Sequence, residues 1–303
     1  MKTLRASLLS WYRSDGRHTL PWRKTRDPYR VLVSEFMLQQ TQVERVLPKY
    51  ESFVRRFPDF HTLARAGTDE VIREWKGLGY NSRAVRLAQI ARILAQGNGG
   101  VLSADRARLR ALPGIGAYTA AAVRAFAFEK HDIAIDTNIR RVMHRLLHGV
   151  EYPPRVTDAQ IEEEARKLVP RGRAHDWNSA LMDLGATICT ARAPKCRLCP
   201  VQKVCRAAPI DCANLERLRA QYAKKPSPAQ AVPFEQTTRF CRGRIVDRLR
   251  ELPPGARISL LDLQHDLRAI MPAQAPEEME KMLQALERDG IVSVRGESFG
   301  LSE

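Results

Sequence analysis

Apolar residues recur every three and four positions along most of this chain, and alternation in twos is almost absent until the C-terminal stretch. That spacing lines one face of a helix. Leu4, Leu8, Leu9 and Tyr12 predict a short amphipathic helix, followed by Leu20-Pro21-Trp22-Arg23 and Asp27-Pro28-Tyr29. From Tyr29 to about Gln96 the pattern predicts helix after helix, with Asp69 and Ser82 at expected N-caps and Gly97, Asn98, Gly99 and Gly100 as a stop. Helical periodicity continues through LSADRARLRAL, TAAAVRAFAF, TNIRRVMHRLL and TDAQIEEEARKLV, so the first 210 residues read as all-α. Ala223 to Pro233 is proline-rich and poor in apolar residues, the composition of a linker. Beyond it, three helical patterns precede IVSVRGESFGLS, which alternates like a small hairpin after Gly290. Three helices and a β wing predict a winged-helix-like α+β unit over 234–303.

One stretch between two of these helices stands out, Leu112 to Asn138, which opens Leu-Pro-Gly-Ile-Gly. Gly114 and Gly116 suit a tight turn, because glycine reaches backbone angles that a side chain forbids. A glycine turn opening a helix also leaves backbone N–H groups free to grip a phosphate. Such turns often only connect helices. Asp136 lies 20 residues beyond Gly116 and just ahead of TNIRRVM, where an N-cap role would by itself account for it.

Charge narrows the choice of partner. Fifty Lys and Arg against 34 Asp and Glu give a formal net charge of +16 over 303 residues. That excess predicts a polyanionic partner, nucleic acid first, with a merely solubilising surface as the alternative. No apolar run approaches the ~20 residues that span a bilayer, and the N-terminal apolar segment is too short for a signal peptide. The expected location is the cytosol, with the chromosome. Six cysteines in such a chain point to metal ligation before disulfides.

Four of them, Cys189, Cys196, Cys199 and Cys205, follow the spacing C-x6-C-x2-C-x5-C. Thiolates this close repel one another unless a cation or cluster neutralises them. Zinc and a [4Fe-4S] cluster both accept four cysteines; the single CxxC and the uneven arms favour the cluster. Cys212 and Cys241 lie off the pattern and read as ordinary thiols.

The glycine hairpin, the downstream aspartate and this cysteine loop together resemble the helix-hairpin-helix DNA glycosylases with an iron–sulfur domain. The resemblance covers roughly residues 10–210. That family includes endonuclease III, the adenine glycosylase MutY and an archaeal thymine–guanine mismatch glycosylase. The resemblance implies an iron–sulfur helical domain from 1–28 and 134–212, a six-helix barrel with the hairpin over 29–133, and a linker over 213–233. It also implies a monomer acting on double-stranded DNA that contains a mispair.

Three positions separate the branches. Ser34 to Val43, SEFMLQQTQV, is similar to the MutY stretch bearing the catalytic glutamate, here Glu35. Position 118 is tyrosine, where the lyases place the lysine that forms a Schiff base with the sugar. Gly77 to Asn81, GLGYN, resembles the MutY segment whose tyrosine, here Tyr80, wedges into the duplex. The MutY branch therefore fits best, with Glu35, Asp136, Tyr118 and Asn138 as catalytic residues. Leu38, Gln39, Gln40, Thr41, Tyr80, Gly114 and Gly116 are the implied DNA contacts. In an apolar helix Glu35 would stay protonated and give its proton to N7 of adenine, while Asp136 would stabilise the sugar cation. The chain departs from this branch in two places. It lacks the Phe-Ser-His loop that reads 8-oxoguanine, and it has Thr137 where many relatives have glycine. The alternatives are a thymine or uracil glycosylase acting on G mispairs, and a non-catalytic iron–sulfur DNA-binding protein.

Overall fold

The computed structural model describes residues 2–97, 99–153, 156–223, 233–271 and 276–303. Residues 224–232 of the expected linker and Asn98 of the expected stop lie outside the described residues. In chain order the helices are α1 (Lys2–Asp15), α2 (Pro28–Leu38), α3 (Val43–Arg56), α4 (Phe60–Arg65), α5 (Thr68–Glu74) and α6 (Ser82–Gly97). There follow α7 (Arg106–Arg110), α8 (Ala117–Phe126), α9 (Thr137–His148), α10 (Asp158–Leu168), α11 (Ala174–Thr187), α12 (Cys212–Gln221) and α13 (Thr238–Glu251). The C-terminal part is β1 (Ile258–Ser259), α14 (Leu260–Leu267), α15 (Pro276–Arg288), β2 (Val292–Arg295) and β3 (Ser298–Leu301). Among the described residues the protein is thus all-α with one small C-terminal sheet, as its periodicity predicts.

Two of the expected caps move. The N-cap of α5 is Gly67, so Asp69 lies in the first turn, where its charge favours the positive end of the helix. Ser82 is the first residue inside α6. Aspartate does cap α4 and α7: Asp59 and Asp105 accept from the Thr62 and Arg108 N–H groups at 2.7 and 2.8 Å. Part of the stretch read as linker is the helix α12, whose only buried side chain is Leu215.

The chain folds into two compact units, each discontinuous in sequence. The first comprises Met1–Glu35 and Ser103–Lys224. Its core joins Leu4, Leu8 and Tyr12 of α1 to Ile139, Val142 and Met143 of α9 and to Trp177, Leu181 and Leu184 of α11. Each fully buried side chain of this size contributes roughly 1.5–3 kcal/mol. Under the hairpin, Asp132 is completely buried and clamped by Arg106 at 2.6 Å and Arg124 at 2.8 Å. Asn178 fixes the following segment, accepting from the Ala134 N–H at 2.8 Å and donating to the Asp132 carbonyl at 3.0 Å. The route from the hairpin to Asp136 is therefore held by the buried side chains of Asp132 and Asn178 and their hydrogen bonds.

The second unit comprises Phe36–Leu102 and Lys225–Glu303. Ile72 of α5 and Val85 of α6 share one core with Ile245, Val246 and Leu249 of α13 and with Leu263, Leu283 and Phe299. The sheet has the order β1-β3-β2, all antiparallel, with Ile258 opposite Phe299 and Val292 opposite Leu301. Gly296, at φ +60°, opens the two-residue turn between β2 and β3, which only a glycine-type conformation fits well. Three helices, a short strand and a hairpin give the winged-helix-like unit expected from the sequence. Trp22, Trp75 and Trp177 are core residues, with at most 7% of their surface exposed.

Candidate functional site

In the first unit, four sequence-predicted residues act on one another. Glu35 sits on α2 among Val31, Leu32 and Val33, which are at most 1% exposed, and is itself only 6% exposed. Burial pushes its carboxyl up to about 7; a hydrogen bond from Tyr118 and the charge of Arg23 oppose this, and Asp136 adds to it. Tyr118 lies in the first turn of α8, and burial, with the two carboxylates beside it, holds its phenol well above the usual range. A phenol that stays protonated can donate to Glu35 without competing for its proton.

Asp136 is the N-cap of α9, and its Oδ1 accepts from the Ile139 N–H at 2.7 Å. Its Oδ2 accepts from the Asn138 side-chain amide at 3.0 Å. The capping role and a site role are thus compatible, because the cap fixes the orientation of the carboxylate. Asn138 in turn accepts from Arg141 at 2.9 Å, and Arg141 also donates to the carbonyls of Gly185 at 2.6 Å and Cys189 at 2.8 Å. A continuous series of hydrogen bonds therefore runs from the cysteine loop to Asp136. Gly185 belongs to the same arrangement: a Cβ there would stand 2.8 Å from the Asn138 Cβ.

Sequence reasoning assigned no role to Arg23, Arg141 or Gly185. Arg23 leaves the Pro21–Arg23 turn to lie buried, 3.5 Å from Asp183 and 5.5 Å over the Phe126 ring, with Nη1 lacking a partner among the described residues. The motif Leu-Pro-Trp-Arg was the available signal for it. Arg141 and Gly185 gave none, because their contacts bring together residues more than forty positions apart.

Gly114 and Gly116 shape the turn between α7 and α8 as expected. Gly114 takes φ +78°, and Gly116 is the N-cap of α8 with no side chain capping the helix. The first-turn N–H groups of α8 are left for solvent or an anion.

Leu38, Gln39, Gln40, Thr41 and Tyr80 belong to the second unit. Gln40 and Tyr80 both take positive φ, 56° and 46°, which costs a non-glycine residue of order 1 kcal/mol or more. Arg83 holds both turns in place. It is 5% exposed and donates to the carbonyls of Phe36, Met37 and Gln39 on one side and of Leu78 and Gly79 on the other, all between 2.6 and 3.1 Å. Burial lowers the guanidinium to about 10, so it remains charged at neutral pH.

Cys189, Cys196, Cys199 and Cys205 follow α11, with two short 3-10 turns between them, and none forms a disulfide. Burial raises the thiols of Cys189, Cys199 and Cys205; that of Cys199, with the charges of the neighbouring cysteines adding to burial, is pushed up to about 11. Arg145 Nη1 approaches the Cys189 sulfur at 3.5 Å. Among the described residues, no three His, Cys, Asp or Glu side chains are drawn together closely enough to hold a metal ion. The donor set itself is soft, fourfold and partly buried, and so fits a cationic metal centre in kind.

Residues 33–171 match the model of the HhH-GPD superfamily base excision DNA repair proteins. The chain is 38% identical over 287 residues to an adenine DNA glycosylase of Mycolicibacterium smegmatis, covering 94% of this chain and 91% of that protein. It is 37% identical over 201 residues to an adenine DNA glycosylase of Buchnera aphidicola, where the match covers 66% of this chain and 57% of the relative. Among solved structures, a thermostable thymine-DNA glycosylase superposes with a TM-score of 0.62 at 34% identity, covering 67% of this chain and 95% of that one.

Proposed function

This chain belongs to the HhH-GPD superfamily of base excision DNA repair proteins, and we propose that it is a monofunctional adenine DNA glycosylase. It hydrolyses the N-glycosidic bond of adenine mispaired with 8-oxoguanine or guanine in double-stranded DNA, acting as a monomer at the chromosome. The observation that carries this reading is a glutamic acid buried to a pKa of about 7, hydrogen-bonded by Tyr118 and coupled to Asp136. Relatives named adenine DNA glycosylase, one matching nearly the whole chain, support adenine as the base.

Glu35 gives its proton to N7 of an everted adenine, so the base leaves neutral as the C1′–N9 bond breaks. The Asp136 carboxylate faces the positive charge that develops on the sugar. Asn138 holds that carboxylate through its amide, and Arg141 holds Asn138. Water then adds to C1′ and leaves an abasic site. Tyr118 offers no amine for a Schiff base, so the strand stays intact. Gly114 and Gly116 present backbone N–H groups to a phosphate; Leu38 to Thr41 and Tyr80 contact the distorted duplex. Cys189, Cys196, Cys199 and Cys205 would hold a [4Fe-4S] cluster, which supplies structural rigidity to the basic loop bearing Arg192, Lys195 and Arg197.

The test is single-turnover base release from duplexes bearing A:8-oxoG, A:G, T:G and U:G, with and without alkali. Adenine release, with strand scission only after alkali, is the expected result. Thymine or uracil release would instead place the chain with the thymine-DNA glycosylase that it resembles structurally. No release from any duplex would leave a DNA-binding protein without glycosylase activity.

A further inference from the structure

The turn that carries Tyr80 is gripped by an arginine that the mechanism above does not use. Between α5 and α6 the chain runs through residues 75–81, and Gly77, Gly79 and Tyr80 there take positive φ, 92°, 68° and 46°. Such a backbone has no ladder of its own, and Tyr80 stays in this conformation only where its surroundings impose it. Arg83 and Trp75 act from within the turn, both donating to the Gly79 carbonyl, at 3.1 and 3.2 Å. A second grip comes from Arg250, in the last turn of α13. Its side chain is 5% exposed. Nη2 donates to Asn81 Oδ1 at 2.7 Å, Nε to the Ile72 carbonyl at 3.0 Å and Nη1 to Asp247 Oδ1 at 2.8 Å. Ile72 lies in the last turn of α5 and Asn81 immediately precedes α6, so one guanidinium closes the two ends of the turn. The Ile72 carbonyl is open to it because the Lys76 N–H, which would continue the helix, donates to Arg73 at 3.1 Å instead. Arg73 completes the clasp by donating to the Arg250 carbonyl.

An apolar side chain in place of Arg250 would avoid the cost of burying a charge. What the guanidinium adds is a planar fork whose donors fix several partners in one geometry. Two of those partners bracket the turn. The Tyr80 side chain beyond it is 36% exposed, so its ring stays open while its backbone is held. We infer that Arg250 is a positioning residue for Tyr80: through Asn81 it holds the turn in the conformation that offers the ring to a distorted duplex. Helix α13 thereby takes part in distorting DNA through this clasp, not through a DNA contact of Arg250's own. The inference rests on the proposed contact of Tyr80 with the duplex. Without the clasp the turn relaxes, and affinity for a distorted duplex falls with the fraction of molecules that still hold the competent conformation.

The test measures binding of the full chain to a duplex bearing a tetrahydrofuran abasic-site analogue opposite guanine, which has no base to excise, and to the same duplex fully paired. The ratio of the two affinities reports the wedge. The unaltered chain is compared with Arg250→Ala, Asn81→Ala, Asn81→Asp, Tyr80→Ala and the double variant Asn81→Ala/Tyr80→Ala, and thermal unfolding checks each fold. Asn81→Ala removes one acceptor and leaves Arg250 bonded to Ile72 and Asp247, so it carries the test if Arg250→Ala does not fold. Arg250→Ala and Asn81→Ala should each lower the preference for the abasic duplex by about tenfold. Asn81→Asp keeps an oxygen for Arg250 and should retain most of it. In the Tyr80→Ala background Asn81→Ala should cause no further loss, because its effect passes through that ring. An equal further loss there would show that the clasp serves only the general fold and would overturn the inference, as would an unchanged preference in Asn81→Ala or in Tyr80→Ala. Release of adenine opposite 8-oxoguanine is followed alongside. If the unaltered chain releases none, yet Asn81→Ala lowers the preference only while Tyr80 is present, the clasp stands and the excision reading falls. Adenine release with a preference indifferent to Asn81 would have the opposite meaning.

Discussion

A carboxylic acid with a pKa of about 7 leaves two signatures, one in rate and one in stability. In the proposed role of general acid, Glu35 must carry its proton, so base release should slow as the pH rises through about 7. The stability effect has the same direction. The folded chain holds the proton more tightly than the unfolded chain, so the stability linked to it is full below about 4.5 and is lost as the pH rises through about 7. The difference is on the order of 3 kcal/mol. Glu35→Gln should therefore abolish base release yet unfold at a higher temperature than the unaltered protein at pH 8, with little difference at pH 4. A variant less stable at pH 8 would show that Glu35 is not held against its charge. Gly185 gives a second test. A methyl group 2.8 Å from the Asn138 Cβ must displace that residue, so Gly185→Ala should slow release about tenfold or more through a misplaced Asp136. DNA affinity should change far less. Loss of binding with an unchanged single-turnover rate would contradict this.

At the scale of elements, the turn between α7 and α8 is the piece whose geometry is most specific. Gly114→Ala would force a side chain into φ +78°, at a cost of about 1–2 kcal/mol. It should weaken binding to an undamaged duplex, which calls on the hairpin and not on Glu35; unaltered affinity would remove the turn from the DNA surface. The hairpin was legible in the sequence because glycine, proline and a following apolar helix are local signals. The helices were legible for the same reason, since each records its buried face in its own spacing. Helix starts were less so: α5 begins at Thr68, ahead of Asp69, because the cap depends on how the preceding loop arrives. α12 was read as linker because it buries only Leu215 and carries almost no apolar face. Arg83 escaped notice for a deeper reason. It bonds to carbonyls from Phe36 to Gly79, and any residue has a carbonyl, so no sequence pattern marks the partners of a buried arginine.

For the whole molecule, the net charge of +16 makes a quantitative demand. If binding is driven by contacts to phosphates, log affinity for nonspecific duplex should fall linearly with log salt, with a slope of roughly −0.9 per neutralised phosphate. A slope of about −5 or steeper is expected; a slope near zero would mean that the basic surface serves solubility alone. The interleaved chain has a further consequence. The polypeptide passes from one compact unit to the other after Glu35, after Leu102 and after Lys224. During synthesis the first unit has all its residues once Lys224 has left the ribosome, whereas the second must wait for the final seventy-nine. Until then the faces of Ile72 and Val85 lack the α13 residues that cover them. A message cut short between codon 224 and the start of α13 would thus yield a chain with every residue of the proposed excision chemistry and an uncovered apolar seam, a substrate for chaperones and proteases before it could meet DNA.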